Sequence, residues 1–513
     1  MNNIWNWVGN WSEKRAILSP NKIGIYDNIT KKSYSFLELD LRANKVANFL
    51  IAKDIKKGDR IGVFSKNRME NIDLFNATAK IGAILVPFNV RMTTQEVLYL
   101  LKLTRPKILF FDMTFDSKIP DIQNSLPEIA CFSFESYEKN NFTSLVESMD
   151  IKFQRKEEIS FEDPHLILFT GGTTGLPKGA VLSHRLIFWN SINTITSWGL
   201  RPDDVQPLVF PLYHTGGWNV LLVPFYHIGA TTILMGDFDP DETLRVIENH
   251  KCSIVVAVPT IFQMMAESTN YQKTNFDSVR IFISGGGACP IAIMEKYWNR
   301  NKDFKMGYGL TEVGPNNFYL PEDRIREKPL SVGFPVIHCD MKIVDDDNKP
   351  VDSEIVGELC LRGPHIFSGY WENEEATNAT IDSDGWVHTG DLAKTDSEGF
   401  YYIVDRKKDM YKSGGENVYP VEVEEILYKY PDVLEVAVFG VPDEKWGEVG
   451  AAAIAPKKGR KITEDTLKEF LNDKLARFKH PKYYIFYDVL PKSAKGTVLR
   501  REVKSKFLEN RQN

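Results

Sequence analysis

The sequence predicts an α/β protein with a large N-terminal domain and a small, mobile α+β C-terminal domain. The large domain is expected to hold parallel-rich α/β subdomains plus a β-rich subdomain. Three observations carry this reading. Apolar, β-rich runs alternate with longer helix-like stretches through most of the first 400 residues. From about residue 330, short strands follow one another closely, separated by Asp- and Gly-containing turns. A charged cluster, Asp405-Arg406-Lys407-Lys408-Asp409, then precedes a new helix and strand. At 513 residues the chain is also too long for one ordinary core, so it divides into domains.

The alternation is read from particular segments. Arg60–Phe64, Ile108–Phe111 and Ser253–Val258 are short apolar runs of strand length, and Tyr34–Ala52 and Thr94–Lys102 carry helical patterning. Strands alternating with helices build largely parallel sheets. Gly82–Pro87 reads as a strand that follows a helix and enters a proline turn. In the later section Met341–Val344, Gly357–Leu361 and Tyr401–Val404 are strands. The turns Asp345–Asn348 and Asp382–Gly385 between them favour antiparallel pairing. Beyond the charged cluster, Val421–Tyr430 reads as a helix and Val436–Gly440 as a strand. The expected division is therefore a large domain over 1–404, with its β-rich subdomain at about 330–404, and a small domain over 405–513 hinged at Asp405.

Composition narrows the function classes. Hydrophobic residues make up 43% and charged residues 26%, ordinary for a soluble globular protein. A net charge of −6 supplies no electrostatic reason to bind nucleic acid or an anionic membrane. Cys131, Cys252, Cys289, Cys339 and Cys360 are scattered, form no C-x-x-C pair and read as reduced thiols rather than zinc ligands. The N-terminal residues lack the basic-then-apolar order of a signal peptide, and no apolar run reaches the ~18–20 residues of a spanning helix. A cytoplasmic enzyme is expected.

The strongest local signal is Leu168-Phe169-Thr170-Gly171-Gly172-Thr173-Thr174-Gly175-Leu176-Pro177-Lys178-Gly179. An apolar strand runs into glycines, threonine hydroxyls and one lysine. Glycines let the backbone approach an anion closely, N–H groups and hydroxyls donate to phosphate oxygens, and Lys178 adds a positive charge. The order differs from a Walker loop, because Lys178 follows Pro177 and precedes Gly179.

This loop resembles the T-[SG]-G-T-T-G-x-P-K-G signature of the adenylate-forming superfamily, which includes acyl-CoA synthetases, peptide-synthetase adenylation domains and firefly luciferase. Gly171 stands where many members carry serine, which removes one hydroxyl donor. The other motifs follow in family order over nearly the whole chain, with Lys80–Asn89 similar to an early core motif. Pro211-Leu212-Tyr213-His214-Thr215-Gly216-Gly217, followed by Trp218, resembles the segment where a histidine or aromatic side chain gates the acid pocket. By resemblance, Gly285-Gly286-Gly287-Ala288 lies against adenine. In Gly307-Tyr308-Gly309-Leu310-Thr311-Glu312 the ring of Tyr308 can stack on a purine, and Thr311 and Glu312 offer hard oxygen ligands for Mg²⁺ on a triphosphate. Met306 and Lys305 precede that motif where members often carry an amide, so a contact to the base edge differs. Asp391 matches the carboxylate that accepts from the ribose hydroxyls, Asp405 the hinge, and Arg406 a second ribose contact. Lys412-Ser413-Gly414-Gly415-Glu416 matches the loop that faces the site during thioester formation.

One motif departs from the family. Its last pattern, P-K-[ST]-x-[ST]-G-K-[IV]-x-R, ends on a lysine that stabilises charge during adenylation. Here Pro491–Arg500 places Thr497 at that position and a lysine two residues earlier, at Lys495. Three readings stay open: Lys495 substitutes, adenylation is slow, or the chain binds nucleotide without catalysis. They are ranked in that order, because the other nucleotide motifs are intact.

The resemblance implies ATP, Mg²⁺ and coenzyme A as cofactors and a two-step reaction, acyl-AMP plus pyrophosphate and then a thioester. Lys495, Glu312, Thr311, His214 and Lys178 are the expected catalytic groups. No carboxylate lies in Pro211–Val220 to pair a substrate amine, which disfavours an amino acid. Trp218, Val220, Leu221, Leu222, Phe225, Trp189 and Phe188 suggest apolar bulk near the pocket and hence a fatty or other apolar acid. An aryl or succinylbenzoate-type acid, and an acyl carrier protein as acceptor, are the alternatives. Monomer and homodimer are both compatible with the sequence.

Overall fold

The computed structural model describes residues 6–135, 141–171, 177–472, 474–492 and 498–512. Its largest sheet has six strands in the spatial order Ala130–Ser133, Ile108–Phe111, Arg60–Phe64, Ile84–Pro87, Pro164–Thr170 and Lys178–Ser183. Every neighbouring pair is parallel except the last, which is antiparallel. Strands Ile84–Pro87 and Ile108–Phe111 are buried on both faces, as parallel strands covered by helices must be. Alternation sends Ile108 and Phe110 into one core and Leu109 and Phe111 into another.

The covering helices start and stop where side chains dictate. Tyr34, expected at a helix start, belongs instead to strand Lys32–Ser35, and the helix is Phe36–Ala52. Ser35 is the reason: its hydroxyl accepts from Glu38 N–H while the Glu38 carboxylate accepts from Ser35 N–H, closing a capping box. Helix Met69–Ile81 ends on Gly82 at φ 72°, then strand Ile84–Pro87 begins. Lys80, only 2% exposed, pairs with Asp40 at 2.8 Å and donates to Asn10, which ties this helix to Phe36–Ala52.

A four-stranded sheet joins Lys32–Ser35, Ile23–Asp27, Thr231–Leu234 and Val205–Leu208. A parallel three-stranded sheet joins Ile254–Ala257, Ile281–Ser284 and Phe304–Met306. The last two strands end side by side, so the glycine segment after Ser284 lies next to the one after Met306: Gly307 N–H donates to Ser284 O at 2.7 Å.

The β-rich section is a four-stranded antiparallel sheet, Asp340–Val344, Gly357–Arg362, Val387–Thr395 and Tyr401–Arg406. Asp405 and Arg406 are the last two residues of its final strand, paired with Leu392 and Asp391. A separate C-terminal sheet contains Glu416–Val418, Tyr411–Ser413, Gly447–Pro456, Val433–Asp443 and Tyr483–Phe486. Helices Pro420–Tyr428 and Glu464–Leu471 pack on it around Val423, Leu427, Leu467 and Leu471. Among the described residues no helix is long and apolar enough to cross a membrane.

Candidate nucleotide and acid-activation site

The glycine loop is held at both ends. Thr170 closes strand Pro164–Thr170 and lies opposite Lys178, which opens strand Lys178–Ser183. Gly171 is exposed, with open space where a Cβ would stand. Gly172, Thr173, Thr174 and Gly175 lie outside the described residues. At the foot of the loop the Thr170 hydroxyl donates to Glu312 Oε1 at 2.9 Å. Glu312 belongs to the short turn Thr311–Val313, so the first and second motifs touch directly.

The second motif continues to the third. Tyr308 is packed edge-on to Phe318 at 5.7 Å, and its hydroxyl donates to Asp391 Oδ2 at 2.6 Å. Burial, reinforced by the Asp391 charge, raises the Tyr308 phenol well above its ordinary pKa. Asp391 is 4% exposed; burial raises its carboxyl, and Arg406, whose Nε lies 3.3 Å from Oδ1, pulls it back down. Gly309 is obligatory, because a Cβ there would sit 1.9 Å from Pro315 O. Gly285, Gly286, Gly287 and Ala288 form a largely exposed run beside Gly307, with Gly286 at φ 79°. Lys305, just before this motif, is buried and donates to Leu320 O at 3.0 Å, and burial lowers its pKa to about 8.

The segment expected to gate the acid takes a wide turn. Gly216–Val220 is a π-helix, and Gly217 must be glycine because a Cβ would meet Pro211 O at 2.4 Å. His214, Thr215 and Gly216 are partly exposed, and the His214 ring packs on Tyr213 at 4.8 Å. Trp218 is buried: its ring stacks on Phe75 at 4.7 Å and its indole N–H donates to Leu212 O. Leu221, Leu222 and Phe225 are likewise core residues, and Phe188 packs among Trp7, Trp11 and Phe161. The bulk expected near the acid is therefore largely scaffold, since these side chains fill the space under the π-turn.

The C-terminal loops stand on defined supports. Gly414 and Gly415, at φ 62° and 89°, form the two-residue turn of the hairpin Tyr411–Ser413/Glu416–Val418. Lys412 N–H donates to Glu448, Ser413 pairs with Gly447, and Trp446 covers Gly414. Asp405 accepts Arg406 N–H at 2.7 Å and Val421 N–H at 2.9 Å, so it links the β-rich sheet to the start of helix Pro420–Tyr428. Arg500 lies 3.6 Å from Asp405 and donates to Asp409 and to both oxygens of Glu424. Lys495 and Thr497 lie outside the described residues; the flanking Lys492 and Val498 pair with each other.

Sequence reasoning passed over Tyr370. Its hydroxyl donates to Glu312 Oε1 at 2.9 Å, and the Lys178 ammonium lies 5.0 Å from its ring centre. Nothing in local spacing marks it; only the pairing of Tyr370 with Ala180 brings it to the loop.

Magnesium fits the donor set. Among the described residues no group of three His, Cys, Asp or Glu side chains stands ready to cage a metal. One carboxylate, Glu312, sits at the foot of the phosphate loop, the sparse oxygen arrangement that suits an ion taking its other ligands from phosphates and water.

A lysine and a threonine at the two ends of a glycine loop, a carboxylate bonded to that threonine and a second buried carboxylate joined to a tyrosine and an arginine thus come together on one face of this α/β fold. Residues 6–371 match the AMP-binding enzyme model and residues 422–497 its C-terminal domain model, and the chain belongs to the AMP-binding enzyme family. A feruloyl-CoA synthase from Amycolatopsis is 33% identical over 98% of this chain and 99% of its own length. An indoleacetate–CoA ligase from Aromatoleum aromaticum is 32% identical over 97% of each chain, and a 2-succinylbenzoate–CoA ligase from Bacillus cytotoxicus 32% identical over 96% and 98%. Among solved structures, ATP-bound MatB from Rhodopseudomonas palustris superposes with a TM-score of 0.90 at 30% identity, covering 98% of this chain and 99% of its own. The o-succinylbenzoate CoA synthetase (MenE) of Bacillus subtilis with ATP and magnesium gives 0.85 at 27%, covering 96% and 99%.

Proposed function

We propose that this AMP-forming acid–thiol ligase activates an apolar carboxylic acid, with acids bearing an aromatic ring the first to test, and passes the acyl group to coenzyme A. The observation that carries the reading is a chain of direct side-chain contacts through motifs far apart in sequence. Thr170 bonds Glu312, Tyr308 in the same motif as Glu312 bonds Asp391, and Asp391 meets Arg406. The aromatic preference rests on the three relatives, whose names specify feruloyl, indoleacetate and 2-succinylbenzoate as the acyl groups joined to CoA. A fatty acid is the second substrate class to test.

In the proposed mechanism His214, Thr215, Gly216 and Gly217 border the entering acid. Its carboxylate oxygen attacks the α-phosphorus of ATP, and the bond to pyrophosphate breaks. Thr170 to Lys178 donates to the phosphates, and Lys178 with Lys495 offsets charge that develops there. Glu312, with Thr311, would hold Mg²⁺, which neutralises phosphate charge when bound. Asp391 and Arg406 orient the ribose, Tyr308 stacks on the base, and the backbone of Gly285 to Ala288 lies against adenine. Residues 405–513 then move about Asp405, bringing Lys412 to Glu416 to the site, and a thiol sulfur displaces AMP from the acyl carbonyl. Five free cysteines fit a reducing, cytoplasmic setting.

The test is acid-dependent ATP–pyrophosphate exchange over a panel of aryl, arylalkyl and graded alkyl acids, followed by mass spectrometry with CoA or a phosphopantetheinyl carrier protein. Exchange with aryl acids and a CoA product are expected. No exchange above background with any acid would overturn catalysis and leave a nucleotide-binding protein, and product only on the carrier would replace the acceptor.

A further inference from the structure

We propose that Tyr370 is a positioning residue for the phosphate site: its hydroxyl sets the plane of the Glu312 carboxylate and its ring face holds the Lys178 ammonium. This rests on the nucleotide reading above. The segment carrying Tyr370 is built onto both partners through its backbone. Val181 N–H donates to Gly369 O, Ser368 N–H to Val181 O and Trp371 N–H to Gly179 O, so residues 368–371 run beside strand Lys178–Ser183 as an added edge. Phe367 N–H donates to Glu312 O, which fastens the same segment to the backbone of the carboxylate. Tyr370 N–H is in turn held by Thr377 Oγ1 at 2.9 Å. The ring therefore sits at a fixed point between two candidate phosphate-site groups.

The chemistry follows from where the hydroxyls land. Thr170 and Tyr370 both donate to Oε1 of Glu312, at 2.9 Å each. Two donors on one oxygen lock the carboxylate plane, and the other oxygen keeps its lone pairs for a cation. On the other side Lys178 meets a π face, which attracts an ammonium without neutralising it. A carboxylate partner would compete with phosphate for that lysine; an aromatic face leaves its charge to the nucleotide.

The two contacts separate by substitution. Tyr370→Phe keeps the ring and removes only the hydroxyl; Tyr370→Leu removes both. ATP binding is measured calorimetrically without acid, first in EDTA and then against rising Mg²⁺, beside the thermal midpoint of each variant. The expected result for Tyr370→Phe is ATP affinity in EDTA within twofold of wild type and a rise of about tenfold in the Mg²⁺ concentration at half-saturation, the size of one charge-assisted hydrogen bond. Tyr370→Leu is expected to weaken ATP in EDTA as well. Wild-type Mg²⁺ dependence in Tyr370→Phe overturns the inference, as does an equal loss with and without Mg²⁺ alongside a lowered midpoint. If Tyr370→Leu does not fold, Tyr370→Phe still decides the matter. Wild-type protein that binds no ATP under either condition overturns the nucleotide reading and this inference with it, a result distinct from normal binding that ignores the hydroxyl.

Discussion

A lysine ammonium acts as a point charge on a flexible four-carbon stem, so the reach of its tip matters more than the position of its Cα. That is the physical case for Lys495 in place of the lysine the family carries where this chain has Thr497. The residues around the stretch are firmly set: Lys492 pairs with Glu435 and with Val498, and Leu499 N–H donates to Pro491 O at 2.8 Å. Arg500 then clamps Glu424, Asp409 and Asp405. If Lys495 is the adenylation cation, Lys495→Ala lowers pyrophosphate exchange by about 10²–10³-fold, the usual effect of deleting one donor to a developing charge. Thioester formation from preformed acyl-adenylate should be unaffected. Exchange at the wild-type rate in that variant refutes the substitution. Lys178→Ala serves as the comparison, because that lysine lies in the phosphate loop itself and should weaken ATP binding too.

At the scale of elements, the π-turn Gly216–Val220 poses a polar problem that distant residues solve. A π-turn misaligns the carbonyls that an α-helix would satisfy internally, and these lie in the interior. The Asn190 amide donates to Asn219 O at 2.6 Å, and Asn316 donates to Val220 O and Thr194 Oγ1 at 2.8 Å each. Asn316 is 2% exposed. Asn316→Asp keeps the shape and removes both N–H donors, so it should cost at least about 1–3 kcal/mol, the range for an unsatisfied buried polar group. Thermal or urea unfolding of the purified variant checks this; a change within experimental error would mean that water replaces the amide. This buried asparagine layer explains the limits of the sequence as a guide. The strand that runs to Thr170 and the glycine turn at Gly414-Gly415 were legible because apolar runs and glycine pairs leave a local pattern. The stacking of Trp218 on Phe75 was not legible, because a large apolar residue beside a motif looks the same in sequence whatever ring it meets. Tyr370 was invisible because its meaning comes from pairing with Ala180, nearly two hundred positions earlier. Asp405 stood out by its charged neighbourhood, but its place inside a strand ladder depends on Leu392 across the sheet.

For the whole molecule, the question is what holds the C-terminal sheet in its present pose, given the proposed movement about Asp405. Glu425, on helix Pro420–Tyr428, is half-buried beside the N–H of Ile291, the first residue of helix Ile291–Trp298 in the large domain. Burial in this contact raises its carboxyl from the ordinary 4.5 to about 7; Lys429 and the Ile291 N–H lower it, and Glu424 raises it further. Once the C-terminal part swings away, Glu425 is solvated and its pKa returns towards 4.5. The packed pose therefore holds the Glu425 proton more tightly than the released one. Its contribution to the packed pose is fully present below pH 4.5 and is lost as pH rises through about 7. Between pH 5 and pH 8 the ratio of packed to released molecules should fall by on the order of tenfold to a hundredfold. Glu425→Gln keeps the acceptor oxygen and removes the titration, so its ratio should vary much less with pH. Energy transfer between dyes placed on the exposed residues Glu322 and Lys458 reads the pose directly. A wild-type signal that is flat from pH 5 to pH 8, or a Glu425→Gln variant with the same slope as wild type, would show that the pose is held by something other than this carboxyl.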